Sequence, residues 1–428
     1  MADDLLDLAD RILSGEEPVE SHHPFTSTGQ RVEVAPGMLY VDAFANSAIA
    51  ATDDGLVAVD TSGVFHASSV HESVRAWSSA PLHTAIFTHG HIDHVFGVEL
   101  YEEEARADGL PLPRVVAHEA VTARFDRYKI TGGYNAVINQ RQFRVPGLSW
   151  PAEYRYPDDT YRAAHVLDVG GRRFELTHDR GETDDSTWVW IPSLRVLCTG
   201  DLFIWASPNC GNPQKVQRYA PDWAAALRKM ASLDAEVLLP GHGLPIVGAE
   251  RVRQALSESA ELLESLVAQT LVLMNEGVRL DDVVQTVRAP AHLLDRPYLR
   301  PIYDEPEFAV RGIWRLYGGW WDLNPATLKP APESALASEL AELAGGAARL
   351  ADRAAELVAD GDLRLAGHLA ELAALAAPDD AGVHAVRADV FAARAREERS
   401  VMSRGVFAWA EHESRQKSGG ADSRMISG

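Results

Sequence analysis

A chain of 428 residues exceeds what one compact core holds, so its length predicts two or three domains. Hydrophobic residues at 46% and charged residues at 24% are ordinary for a globular protein, and no apolar run nears the roughly 20 residues that cross a bilayer. With 62 acidic against 40 basic side chains the formal charge is −22, which repels polyanions and argues against nucleic acid as a partner; a small anion stays admissible where a metal dominates the local field.

Met1-Ala2-Asp3-Asp4 opens acidic, without the basic start and apolar stretch of a secretory signal, and the only thiols are Cys198 and Cys210. Both features predict a cytoplasmic protein without a disulfide framework. After a leader over residues 1–30, β-rich runs at Arg31–Val34, Met38–Val41, Ala48–Ala50 and Leu56–Asp60 alternate with turn signals such as Asp53-Asp54-Gly55, which predicts a β-meander. A helix is expected over 66–78 and a buried strand over 82–88. Strands follow at 115–117, 165–177, 187–198 and 236–239, with helices at 118–128 and 222–232. Strands outnumber helices and the helices fall between strand groups, so the expected class is α+β: an αββα sandwich of two facing sheets over residues 31–250.

From residue 251 the composition turns helical, with Leu and Val at helical spacing through Asn275. The Pro-rich stretch from Pro290 to Pro306 breaks the pattern, and another helix precedes Gly318-Gly319-Trp320-Trp321. Beyond Pro330-Ala331-Pro332, breaks at Gly345-Gly346, Asp360-Gly361-Asp362 and Pro378-Asp379-Asp380 mark off helical hairpins, spaced like a degenerate tetratricopeptide-like pair. An all-α domain is therefore expected over 251–415, and a disordered tail over 416–428.

The chemistry concentrates in Thr88-His89-Gly90-His91-Ile92-Asp93-His94. A helix would set His89 and His91 on nearly opposite sides, so the segment is expected to curl as a loop around something. Neutral imidazoles with a hard carboxylate suit zinc, and ligands split in this way can serve two adjacent metals. Further ligand candidates follow later strand ends: His178 and Glu182 in 177–183, Asp201 after Cys198-Thr199-Gly200, and His242 in Leu239-Pro240-Gly241-His242-Gly243. Each of these, taken singly, is also what ordinary turn chemistry produces.

With these motifs in this order, residues 31–250 resemble the complete catalytic domain of the metallo-β-lactamase superfamily. The resemblance implies two zinc ions, the first held by His89, His91 and Glu182, the second by Asp93, His94 and His242, with Asp201 bridging both. Most members carry histidine where this chain has Glu182; a carboxylate there is similar to the alkyl sulfatase branch. His178, Asp184 and Asp185 are the neighbouring alternatives. The run Gly319-Trp320-Trp321-Asp322-Leu323-Asn324-Pro325 resembles the alkyl sulfatase dimerisation region, as do the helices from 333 to 415, which implies a homodimer formed through residues of roughly 250 to 330. The sterol-carrier-like C-terminal domain of many alkyl sulfatases is not expected here, and Asp201 stands where they generally have Glu.

What the resemblance implies is a zinc-dependent hydrolase that cleaves alkyl sulfate esters to an alcohol and inorganic sulfate, with Asp93 and Asp201 as the catalytic carboxylates beside an activated water. Arg218, in Gln214-Lys215-Val216-Gln217-Arg218, resembles an arginine region of the family and is the candidate for holding sulfate oxygens. Tyr134, Asn135 and Asn139 lie where the family has a substrate-facing loop. Two other expectations compete. One is a lactonase, thioesterase or phosphodiesterase on the same metal centre; the other is a non-hydrolytic iron-binding protein.

Overall fold

The computed structural model describes residues 5–419. They form two compact units, one built from the chain up to 131 together with 151–320, the other from 132–150 together with 321 onward. Residue 250, where the composition changes, lies inside the first unit. The long helix Ala249–Asn275 that begins there packs on the helix Ala220–Ala231 of the same unit.

Two sheets make the frame of the first unit. In one, β1 (Arg31–Ala35), β2 (Met38–Val41), β3 (Ser47–Thr52), β4 (Gly55–Val59), β5 (Leu82–Ile86), β6 (Arg114–His118) and β7 (Asp159–Tyr161) lie side by side in chain order. The first four pair antiparallel, as the closely spaced turn signals require. From β4 to β7 the pairing is parallel, and parallel neighbours need crossovers. The helices Ala67–Trp77, Val98–Asp108 and Ala120–Ile130 supply them. β2 and β4 are buried along their whole length, which is why Met38-Leu39-Tyr40-Val41 and Leu56-Val57-Ala58-Val59 read as continuous apolar runs instead of alternating ones.

The second sheet runs in the order β13 (Ile246–Val247), β12 (Val237–His242), β11 (Val196–Ile204), β10 (Thr187–Ile191), β9 (Arg172–His178), β8 (Ala164–Val169). Its pairs are antiparallel except β11 with β12, whose parallel register is broken on either side of Gly200. In β8, Leu167 and Val169 point inward while Val166 and Asp168 face solvent, the alternation of a strand covered on one side. Tyr161 and Thr187 tie the two sheets through a hydroxyl pair at 2.5 Å.

Three helices were invisible to the pattern reading. Leu5–Ser14 places Leu5, Ala9 and Ile12 on one buried face, so the described part of the leader begins with a packed amphipathic helix. Val98–Asp108 is the second. The third corrects an expectation: residues 132–141 are not a loop but most of the helix Gly132–Phe143. No breaker follows Gly132-Gly133, and Asn135, Ile138, Asn139 and Gln142 line a single buried face at helical spacing.

That helix belongs to the second unit, with the helices Glu333–Ala344, Ala347–Ala359, Leu363–Ala376, Ala381–Glu397 and Val401–Lys417. The hairpin breaks do the capping. Gly345 adopts a left-handed conformation (φ 91°), Asp362 accepts from Leu365 N, and Asp380 accepts from Gly382 N and Val383 N. The core is built of small side chains, including Ala341, Ala351, Ala354, Ala366, Ala370 and Ala373, which lets helices approach closely. Closest of all is the crossing of Gly405 over Gly132–Phe143, where a Cβ would stand 2.2 Å from Gln142 O. Gln416 and Lys417 end the last helix and are not part of a tail, whereas residues 420–428 of the expected disordered segment lie outside the described residues. No helix among the described residues is long and apolar enough to cross a membrane.

Candidate metal centre

The loop 88–94 leaves the end of β5 and is pinned from two sides. Asp60, just past β4 in a left-handed conformation (φ 58°), accepts Thr88 N and Thr88 Oγ1 at 2.7 Å each, and its Oδ2 faces His94 Nδ1 at 2.7 Å. From the other side Asp185 accepts Gly90 N at 3.1 Å and Arg124 Nε at 2.7 Å, while Arg124 also pairs with Asp184. These acids, considered as alternative ligands, are instead clamped by a guanidinium. The buried pair holds the Asp185 carboxyl far below the ordinary range: burial works against ionisation, and Arg124 more than offsets it.

Around this loop the structure gathers two ligand groups, His89, His91, Glu182 and Asp201 in one, and Asp93, His94 and His242 in the other. Asp201 reaches both. Its Oδ2 lies 3.7 Å from His89 Nε2 and 3.3 Å from His242 Nε2, and its Oδ1 lies 3.4 Å from His94 Nε2. Glu182 Oε2 faces His91 Nδ1 at 3.4 Å and His89 Nε2 at 3.9 Å; Asp93 Oδ2 is 3.7 Å from His94 Nε2 and 3.5 Å from His242 Nε2. The broken register of β11 against β12 brings Asp201 beside Gly241, where an added Cβ would sit 2.1 Å from Asp201 Oδ1, so only glycine fits. Asn46 holds the His242 turn by donating Nδ2 to Pro240 O and Gly243 O and accepting Ala43 N through its own carbonyl.

The donor set fits metal ions. His94 Nε2, Glu182 Oε2 and Asp201 Oδ1 are buried with no hydrogen-bond partner, a costly arrangement unless a cation takes up the lone pairs. The imidazoles are oriented from behind: His94 by Asp60, His242 by Phe44 O at Nδ1, and His89 by Thr88 Oγ1 at 3.0 Å from Nδ1. Burial lowers the His89 and His91 pKa values, helped by neighbouring imidazoles, which favours their neutral, ligating form. Burial also opposes charge at His94 and Asp201, but opposite charges win: Asp201, Asp60 and Asp93 raise the His94 imidazole well above its ordinary value, and His242 and His94 hold the Asp201 carboxyl well below its own.

Of the other residues singled out from sequence, His178 stands apart from both groups, stacked on His118 with ring centroids 3.6 Å apart and Nδ1 2.8 Å from Ser186 O. Arg218 is buried. Its Nη1 pairs with Glu182 Oε1 and donates to Asn209 O at 2.6 Å, so it meets a presumptive ligand and not an open cleft. Tyr134 and Asn139 belong to the second unit, Tyr134 exposed, Asn139 buried and donating Nδ2 to Asn135 O at 2.8 Å within its own helix. Cys198 and Cys210 are both free and buried, and burial pushes both thiols up.

Three features carried no signal in the linear pattern. Asp60 read as the end of a strand. Phe25 packs tilted against His242 with centroids 4.4 Å apart and touches Phe44 at 5.2 Å and Tyr303 at 4.2 Å, an aromatic wall assembled from three distant segments. Lys215 is half-buried within electrostatic reach of Asp93 and Glu182; burial and Arg218 lower its pKa to about 8 against the pull of those acids.

The chain is similar in sequence and fold to several known proteins. Residues 42–242 match the metallo-β-lactamase superfamily and residues 279–417 match the alkyl sulfatase dimerisation family. A linear primary-alkylsulfatase from a Pseudomonas species is 27% identical over 360 residues, 79% of this chain and 68% of that protein. An (R)-specific secondary-alkylsulfatase, also from Pseudomonas, is 26% identical over 389 residues, 83% of this chain but only 58% of its own length. The solved structure of a stereoselective inverting sec-alkylsulfatase from Pseudomonas superposes with a TM-score of 0.81 at 24% identity, covering 90% of this chain and 66% of that one. The chain thus spans roughly three fifths to two thirds of the length of these relatives. It carries a metallo-β-lactamase domain followed by an alkyl sulfatase dimerisation domain.

Proposed function

We propose that the protein is a binuclear zinc hydrolase that cleaves alkyl sulfate esters to an alcohol and inorganic sulfate. The observation that carries the reading is the sharing of Asp201 between two ligand groups, with buried, unpartnered ligand atoms in both. In this reading His89, His91 and Glu182 hold the first ion, Asp93, His94 and His242 the second, and Asp201 joins them. The all nitrogen-and-carboxylate donor set suits zinc. Bound there, two zinc ions supply an acidified water and polarise the oxygen of the ester under attack.

The chain's own residues set the approach. Asp93 and His91 are the most exposed ligands, with side-chain exposures of 25% and 19%, whereas Glu182, His94 and His242 stay at 3% or below. Substrate therefore enters on the Asp93–His91 side, where Asp93 is placed to accept a proton. In this reading the ammonium of Lys215, within electrostatic reach of Asp93 and Glu182, would attract the sulfate group, and the half-buried Phe25 and Phe44 would offer apolar surface to the alkyl tail. The alkylsulfatase relatives support this substrate class over a carboxylic ester or phosphodiester.

A homodimer is part of the same reading. The match to a dimerisation family and the exposed Val272, Tyr317 and Trp320 support an interface within roughly 250 to 330. Two free, buried cysteines fit a reducing cytoplasmic compartment.

The test is direct. Purified protein should hold about two equivalents of zinc, and it should release inorganic sulfate from medium-chain alkyl sulfates faster than it opens lactones, thioesters or phosphodiesters. Asp93→Ala should abolish turnover with the fold retained. A fully loaded enzyme that releases no sulfate but turns over another class would overturn the substrate assignment.

A further inference from the structure

We propose that Arg218 is the positioning residue of Glu182: it holds one carboxylate oxygen in the scaffold so that only the other is presented to the first metal. The inference rests on the binuclear reading above and assigns to Arg218 a task different from binding sulfate.

The two oxygens of Glu182 have divided roles. Oε1 is taken twice, by Arg218 Nη1 and by Asn209 Nδ2. Oε2 is buried, has no hydrogen-bond partner, and is the oxygen that faces His91 Nδ1 at 3.4 Å and His89 Nε2 at 3.9 Å. Arg218 is itself fixed. It is 5% exposed, its Nη1 also donates to Asn209 O at 2.6 Å, and the next residue donates from Tyr219 N to Gly181 O at 2.9 Å, tying the segment that carries Arg218 to the turn that carries Glu182. Burial opposes its charge but Glu182 more than offsets this, so the guanidinium stays ionised.

The consequence is both geometric and electrostatic. A carboxylate with two free oxygens can swing, chelate, or turn away; with Oε1 anchored, Glu182 is limited to one-oxygen ligation. The anchoring cation also offsets one of the three ligand carboxylates, so the first group has less excess negative charge than its residue types imply. Groups that orient a ligand from behind in this way typically change metal affinity by about 10- to 100-fold when removed.

The experiment is a cobalt(II) titration of the purified full-length protein freed of metal, followed by visible absorption and by competition with a chelator. Wild type should show two tight equivalents. Arg218→Ala should weaken one of them by about 10- to 100-fold and alter one set of cobalt bands; Arg218→Lys, which keeps the charge without the fork, should recover part of the affinity, and Asn209→Ala should weaken the same equivalent more mildly. At saturating metal the variants should keep the wild-type KM for alkyl sulfate. If Arg218→Ala does not fold, the lysine and Asn209 variants carry the test alone. Two equivalents bound with unchanged affinity in the variants, together with a raised KM, would overturn the inference and return Arg218 to the substrate. A wild-type protein that takes up no cobalt would instead defeat the binuclear reading on which the inference stands.

Discussion

Asp60 shows how much of a metal centre is decided by residues that never touch the metal. Its Oδ2 lies 2.7 Å from His94 Nδ1, a contact that favours a proton on Nδ1 and turns Nε2 toward Asp201. Its Oδ1 accepts Thr88 N and so fixes where the ligand loop begins. Asp60→Asn preserves a side chain that tolerates the left-handed backbone (φ 58°) but removes the charged acceptor. Zinc affinity, read by chelator competition, should fall by about 10-fold or more while the far-ultraviolet dichroism stays unchanged; unaltered affinity would mean that the His94 tautomer is set elsewhere. The residues that the structure gathers, His89, His91, Asp93, His94, Glu182, Asp201 and His242, were legible because each belongs to a short motif of recognisable spacing; His89 to His94 and Glu182 follow strand ends, whereas Asp201 lies within β11 and His242 ends β12. Asp60, Asn46 and Phe25 were not, because each reaches the site through space from a segment whose local pattern is that of a plain strand end or leader.

At the scale of elements, the segment 205–219 is held by a buried acid from far along the chain. Asp304 accepts Gly211 N and, through its other oxygen, Glu305 N at 2.8 Å, and Gly211 packs so tightly on Phe308 and Ala309 that a Cβ there would stand 1.9 Å from the Phe308 carbonyl carbon. Burial raises the Asp304 pKa to about 7, against the pull of those backbone donors and of Arg218. An acid with a raised folded pKa favours the folded state most at low pH. Between the unfolded value near 4 and about 7 the unfolded chain ionises first, so stability is lost progressively as pH rises through that window. Asp304→Asn removes this titration. The variant's melting temperature relative to wild type should therefore rise from pH 5 to pH 8, by a few degrees. A difference that does not change with pH would show that Asp304 is ionised throughout. The sequence marks Pro290–Pro306, which carries Asp304, only as a Pro-rich break, since proline reports where a backbone can bend and tertiary packing decides whether it does; the loop expected around Tyr134 to Asn139 came from the family resemblance and not from local pattern. The sheets were easier, since β2 and β4 carry apolar runs that suit a strand buried on both faces.

For the whole molecule, the formal charge of −22 and an anionic substrate pull in opposite directions. A homodimer, which light scattering would report as twice 46.7 kDa, carries that charge on both protomers. Far from the site an alkyl sulfate feels the net negative field. In the proposed function, two bound divalent ions together with Lys215 would outweigh the carboxylates of Asp93, Glu182 and Asp201 close to the site, since two charges of +2 exceed three of −1. The two fields differ in range, and salt removes the longer one first: the Debye length shrinks from about 30 Å at 0.01 M to about 8 Å at 0.15 M. Screening should thus relieve the distant repulsion while leaving the short-range attraction in the site nearly intact. The expected outcome is that kcat/KM for a medium-chain alkyl sulfate rises, by up to about tenfold, as ionic strength increases over that interval. An uncharged ester processed by the same enzyme should show no such rise, which separates a field effect from a salt effect on the fold. If kcat/KM for the sulfate falls instead, attraction by the site already dominates at long range, and the acidic surface has no part in admitting substrate.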